Sequence, residues 1–79
     1  MNVVGPQIQR VRYQLALTQE QLAARCQLFG LDVGRATIAQ IESQFRCVTD
    51  LELLQLARVL DVSIESLYPP ELKRMRKVK

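Results

Sequence analysis

The residues best suited to do chemistry in this chain lie in one stretch, GRATIAQIESQFR, from Gly34 to Arg46. Spacing reads it as a helix over residues 34–46. Ile38, Ile41 and Phe45 recur at i, i+3 and i+7, an apolar stripe of helical period. The other face carries Arg35, Ala36, Ala39, Gln40 and Ser43. These side chains are short or amide-bearing, with a single cation at the start. A merely solvated face more often carries Glu and Lys. Such a surface is made for close contact and directional hydrogen bonding, not for bond making. The chain has no His, which removes the commonest general base and the commonest metal ligand. It also lacks a nucleophile motif, a Gly-rich phosphate loop and paired carboxylates in a plausible cleft. Neither an enzyme nor a metal or cofactor protein is expected.

Short helices must carry that stretch. Seventy-nine residues make one small domain. Nearly half are apolar, enough for folding, and β-branched residues do not alternate as they would in strands. Gly5-Pro6 opens a first helix, with Ile8, Val11 and Leu15 on its buried side. Thr18-Gln19-Glu20-Gln21 is a capping box that starts a second. Leu22, Ala23, Cys26 and Phe29 continue the stripe, and Gly30 closes that helix as a left-handed cap. Leu31-Asp32-Val33 lead to the Gly34 segment. Thr49-Asp50-Leu51-Glu52 is a second capping box, and Leu53, Leu56, Ala57 and Leu60 form a core face behind it. Ser63 caps a fifth short helix bearing Ile64 and Leu67, which Pro69-Pro70 stop. The expected fold is therefore all-α, with five helices.

Charge divides the chain into residues 1–70, a folded domain, and residues 71–79, a basic tail. The first part holds six Arg against seven Asp or Glu, a net −1. In the tail, Lys73, Arg74, Arg76, Lys77 and Lys79 face Glu71 alone, a net +4. A basic tail suits a polyanion, and it also occurs as a plain solvated end. Cys26 and Cys47 fit no metal spacing; Cys26 reads as a core residue and Cys47 as a loop thiol. No apolar run approaches the roughly 18 residues of a membrane span, and no signal peptide is visible, so the expected location is the cytoplasm.

Taken in order, Ile8-x-x-Val11-Arg12, Leu17-Thr18-Gln19-Glu20-Gln21-Leu22-Ala23, Thr37-Ile38-x-x-Ile41-Glu42 and Leu53-Leu54-x-Leu56-Ala57-x-x-Leu60-x-Val62-Ser63-x-x-x-Leu67 make a pattern. It resembles the Cro- and repressor-type helix-turn-helix regulators of phage and bacteria, over roughly residues 4–68. The resemblance implies a five-helix, lambda-repressor-like domain that binds double-stranded DNA, with residues 34–46 holding the recognition helix in the major groove. Three features depart from the family pattern. The second helix and its link are longer by about five residues, through Gln27–Leu31. Gly34 replaces a Ser or Thr cap, and Gln44 stands where Gly is frequent. The last implies a recognition helix one turn longer.

Residue roles follow from the resemblance together with the chemistry of base edges. Arg pairs with guanine, Gln with adenine, and small apolar groups with the thymine methyl. Arg35, Gln40 and Ala36 supply one of each and are the candidate base readers. Thr18 and Gln19, at a helix N-terminus, and Thr37 and Arg46, flanking the recognition helix, are the candidate phosphate contacts. Arg12 and Glu42 occupy the places of a cross-helix ion pair and have a structural role. The implied function is a transcriptional regulator, a repressor acting as a homodimer, with no membrane partner and no small-molecule effector evident. Leu28, Phe29, Leu67 and Tyr68 are the apolar candidates for the dimer surface. Phe29 is expected in the core, and Leu28 is open between the two. The alternative is an antitoxin or adaptor that binds another protein with the same fold.

Overall fold

The computed structural model describes residues 2–71. Among them are four α-helices, α1 (Gly5–Gln14), α2 (Gln19–Leu28), α3 (Arg35–Glu42) and α4 (Asp50–Leu60), and a single 3-10 turn, Ile64–Leu67. The expected fifth helix is thus only that turn. Ser63 caps it as anticipated, accepting from the Ser66 amide. Four residues is the usual length of such an i→i+3 run. The basic stretch beyond Glu71 lies outside the described residues. None of the described helices is long and apolar enough to cross a membrane.

Local chemistry sets most of the helix ends. Both capping boxes are complete: Thr18 and Gln21 exchange two hydrogen bonds at the start of α2, and Thr49 and Glu52 do the same for α4. Gly30, at φ +86°, ends α2. The amides of Gly30 and Leu31 return to the carbonyls of Gln27 and Cys26, which satisfies the last turn. Asp61 plays the left-handed part after α4.

α3 packs against α1 and α2, α4 against α2, and the 3-10 turn closes on α1 and α4. Ile8, Leu22, Cys26, Ile38, Ile41, Leu56, Leu60 and Leu67 are almost wholly buried at the centre. Burial pushes the Cys26 thiol up to about 11, so it stays neutral, and it forms no disulfide with the exposed Cys47. The lengthened link before α3 is ordered: Val33 is buried, and Gln27 Nε2 donates to its carbonyl at 2.9 Å.

Several apolar expectations fail. Leu15 is exposed, because it is the C-cap of α1 and no longer on the helix stripe. Phe29 is half exposed and does not fill the core, because it caps α2 just before the chain reverses at Gly30. Leu67 is fully buried and cannot serve a dimer surface, and Tyr68 packs partly against the core.

Candidate nucleic-acid interface

The stretch Gly34–Arg46 forms a helix only to Glu42. The expected extra turn is absent, and Phe45 is 86 % exposed, not part of the apolar stripe. Gln44 ends the helix by taking φ +70°, a backbone conformation that glycine adopts without penalty. The amides of Gln44 and Phe45 return to the carbonyls of Ile41 and Gln40. Gln44 is held there by its side chain, whose Nε2 donates to the Asn2 carbonyl at 2.8 Å.

Asn2 ties the start of the chain to the end of α3. Its Nδ2 donates to the carbonyls of Ile41 and Arg46, at 3.1 and 2.7 Å. Its Oδ1 accepts from the Gly5 amide at 2.7 Å and so satisfies the first amide of α1. Gly5 makes the crossing possible, since a Cβ on it would stand 2.1 Å from the Ile41 carbonyl oxygen. No periodicity or motif signals this clasp.

The pairing of Arg12 with Glu42 holds α1 to the other side of α3. Arg12 Nε and Nη2 donate to the two carboxylate oxygens at 2.6 and 2.9 Å, and Nη1 donates to the Leu17 carbonyl at 2.8 Å. The side chains are only 6 % and 2 % exposed. The hydrogen bonds to Glu42 raise the Arg12 pKa against the opposing effect of burial. Gln19 joins them, its Nε2 donating to Glu42 Oε1 at 3.0 Å. This occupies one of the two donors of the Gln19 carboxamide.

The expected base-reading residues share a surface. Arg35, Ala36 and Gln40 are exposed, Ala36 and Gln40 one turn apart on the same face, with Ser43 exposed beyond them. Ala39 and Thr37 are half-buried at the margins. Arg12, Tyr13, Thr18, Gln19, Glu20 and Arg35 line an open groove of about 450 Å³. It brings the N-terminal ends of α2 and α3 together, so Arg35 stands beside the expected phosphate contacts Thr18 and Gln19. The first amides of α2 face no intrahelical acceptor and carry the positive end of the helix dipole. Tyr13, exposed and with the Arg12 guanidinium 4.5 Å from its ring centroid, belongs to this groove as well. It lies off the apolar stripe of α1, so nothing in the spacing singles it out.

Arg46 stands apart from that groove. Its Nη1 and Nη2 donate to the two oxygens of Glu52 at 3.0 and 2.7 Å, and Nη1 also reaches the Cys47 carbonyl. The hydrogen bond from Arg46 holds the Glu52 carboxyl down at about 2, well below its usual range. Arg46 is thus oriented by α4, with its side chain about a third exposed.

Neither a curated protein nor a solved structure matches the chain. The sequence pattern of the helix-turn-helix family matches residues 8–67, from the middle of α1 to the end of the 3-10 turn. That span takes in both helices of the groove and the exposed face of α3. The chain belongs to the Cro- and repressor-type helix-turn-helix family of DNA-binding domains.

Proposed function

We propose that this chain is a sequence-specific double-stranded DNA-binding protein, a transcriptional repressor that acts as a dimer. The observation that carries the reading is the exposed surface of α3, with Arg35, Ala36, Gln40 and Ser43 next to the polar groove at the start of α2. Arg35 and Gln40 hydrogen-bond to the edges of guanine and adenine in the major groove, and Ala36 meets a thymine methyl. Thr18, Gln19 and the first amides of α2 take a phosphate, with Thr37 and Arg46 on flanking phosphates. The Glu42 hydrogen bond supports Gln19 in this role, because it orients the amide before DNA arrives. The tail cations add sequence-independent attraction.

Binding selection on random duplexes tests the assignment. Arg35→Ala and Gln40→Ala should each relax preference at a different base pair of each half-site, by about 1–3 kcal/mol for a bidentate contact. Gln19→Ala should weaken every duplex alike and leave the preferred site unchanged. If Arg35→Ala behaves like Gln19→Ala, Arg35 belongs to the phosphate site whose groove it lines. If both α3 variants select the parent site with parent preference, this face does not read bases.

A second reading, an antitoxin or adaptor that grips another protein, draws on a different observation. Leu51, Leu54 and Ile64 are exposed around one apolar depression between α4 and the 3-10 turn. In the leading reading a second copy of the chain covers it. Steeply salt-dependent duplex affinity favours the leading reading, because counterion release dominates DNA binding. Salt-insensitive binding, or none, favours the second.

A further inference from the structure

Phe45 is a large aromatic residue left 86 % exposed three residues past the end of α3. Its backbone is anything but loose. Its amide donates to the Gln40 carbonyl at 3.0 Å, which holds its backbone against the last turn of α3, whose exposed side ends in Ser43. The residue on each side of it is tied inward. Gln44 donates to the Asn2 carbonyl, and Arg46 pairs with Glu52 while its own carbonyl accepts from Asn2. Burial alternates accordingly: Gln44, Arg46 and Val48 are half-buried, while Phe45 and Cys47 are exposed. Two long-range anchors therefore hold out one apolar ring that makes no use of the core.

We propose that Phe45 is a base contact at the C-terminal end of α3, its ring packed on the C5-methyl of a thymine in the major groove. The inference rests on the reading of α3 as the recognition helix. It adds an apolar determinant to a surface otherwise made of one cation, one amide and small groups. Among the bases only thymine offers a methyl group there, and an aromatic ring is one of the groups that contact it. Pre-organisation favours the contact, because anchoring both neighbours lowers the ordering cost on binding.

The test uses the duplex selected by the parent chain and a set in which each thymine in turn is replaced by deoxyuridine, which lacks only the methyl. One buried methyl-sized group is worth about a fourfold change in affinity. Besides the thymine that Ala36 meets, the parent should lose about that much at one thymine in each half-site through Phe45. Phe45→Ala should lose at least as much on the unmodified duplex, nothing further at that deoxyuridine, and should keep the parent's melting temperature, since the ring is not in the core. Equal affinity and preference for Phe45→Ala and parent would overturn the proposal. So would a weakened Phe45→Ala that still responds to every deoxyuridine as the parent does. A shift in sedimentation of Phe45→Ala without DNA would assign the ring to a protein interface instead. A parent that selects no duplex at all would remove the recognition-helix reading underneath, an outcome distinct from the other three.

Discussion

Removing Glu42 should come close to unfolding this domain. In Glu42→Ala, Arg12 keeps its place beneath α3 but loses both charged acceptors and retains only the Leu17 carbonyl. The Arg12 side chain is only 6 % exposed, so water replaces the carboxylate poorly. Breaking a buried pair from one side costs about 3–5 kcal/mol. A domain of this size holds roughly 5–15 kcal/mol in all, and each kilocalorie moves its melting point by about 4–8 °C. Glu42→Ala should therefore melt at least roughly 12 °C below the parent, and at the upper end it should be unfolded at room temperature. Arg12→Ala should cost a similar amount, since it leaves Glu42 buried with only the Gln19 amide. Each single change counts the burden of an orphaned partner, and the double variant carries neither. The double change should thus fall short of the sum by about 1–3 kcal/mol. Thermal and urea unfolding of all four proteins, followed by far-ultraviolet circular dichroism, measures the cycle. Strict additivity would refute the argument, because it would mean that the two groups do not share their energy in solution.

Gly5→Ala should destabilise strongly although Ala favours helices, because its methyl would meet the Ile41 carbonyl; an unchanged urea midpoint would show that α1 can move off α3 freely. Gly34→Asp should stabilise the fold by a few tenths of a kcal/mol as a better helix cap, since a Cβ there meets nothing, yet weaken duplex binding by adding an anion next to the proposed base readers. Paired unfolding and binding titrations check the two signs together. The Glu52 carboxyl sits lower when folded than unfolded, so its contribution is complete above about 4.5 and lost as the pH falls towards 2. With the Arg46 and Glu52 side chains 34 % and 18 % exposed, the contribution of their pairing is under about 1 kcal/mol. Glu52→Gln should lower stability at neutral and alkaline pH by that amount, leave it unchanged near pH 2, and so flatten the acid limb.

What could be read in the amino-acid order was whatever is decided within one turn. The capping boxes at Thr18 and Thr49, the reversal at Gly30 and the core faces of α2 and α4 all depend on residues three or four apart, and all were legible. The pairing of Arg12 with Glu42 came from the family pattern, not from spacing. Errors gathered where distant chain decides a local outcome. Phe45 fits the helical stripe of Ile38 and Ile41, but Gln44 turns the backbone before the stripe reaches it. A non-glycine residue accepts that left-handed conformation, at a cost on the order of 1 kcal/mol, with its side chain anchored on a residue forty-two positions earlier. Leu15 and Phe29 fail for a related reason, because periodicity has no way to mark the residue at which a helix stops. Tyr13 and the clasp of Asn2 left no trace in periodicity, since Tyr13 lies off the stripe of α1 and Asn2 reaches the carbonyls of Ile41 and Arg46 across the length of the chain.

α3 has eight residues, no side-chain cap at Gly34, no acid in its first turn and no base in its last. Helices so short do not persist alone in water. Everything that keeps it helical is borrowed: Ile38 and Ile41 from the core, Glu42 from Arg12, its final turn from Asn2. The segment is therefore not portable. A synthetic peptide of residues 34–46 would be largely unstructured, and grafting its side chains onto another helix would keep their identities but lose the stop at Gln44. Reading and folding are in consequence a single equilibrium: amide protons of α3 should exchange only when the whole domain opens, and a duplex that binds this surface must slow their exchange across the entire core.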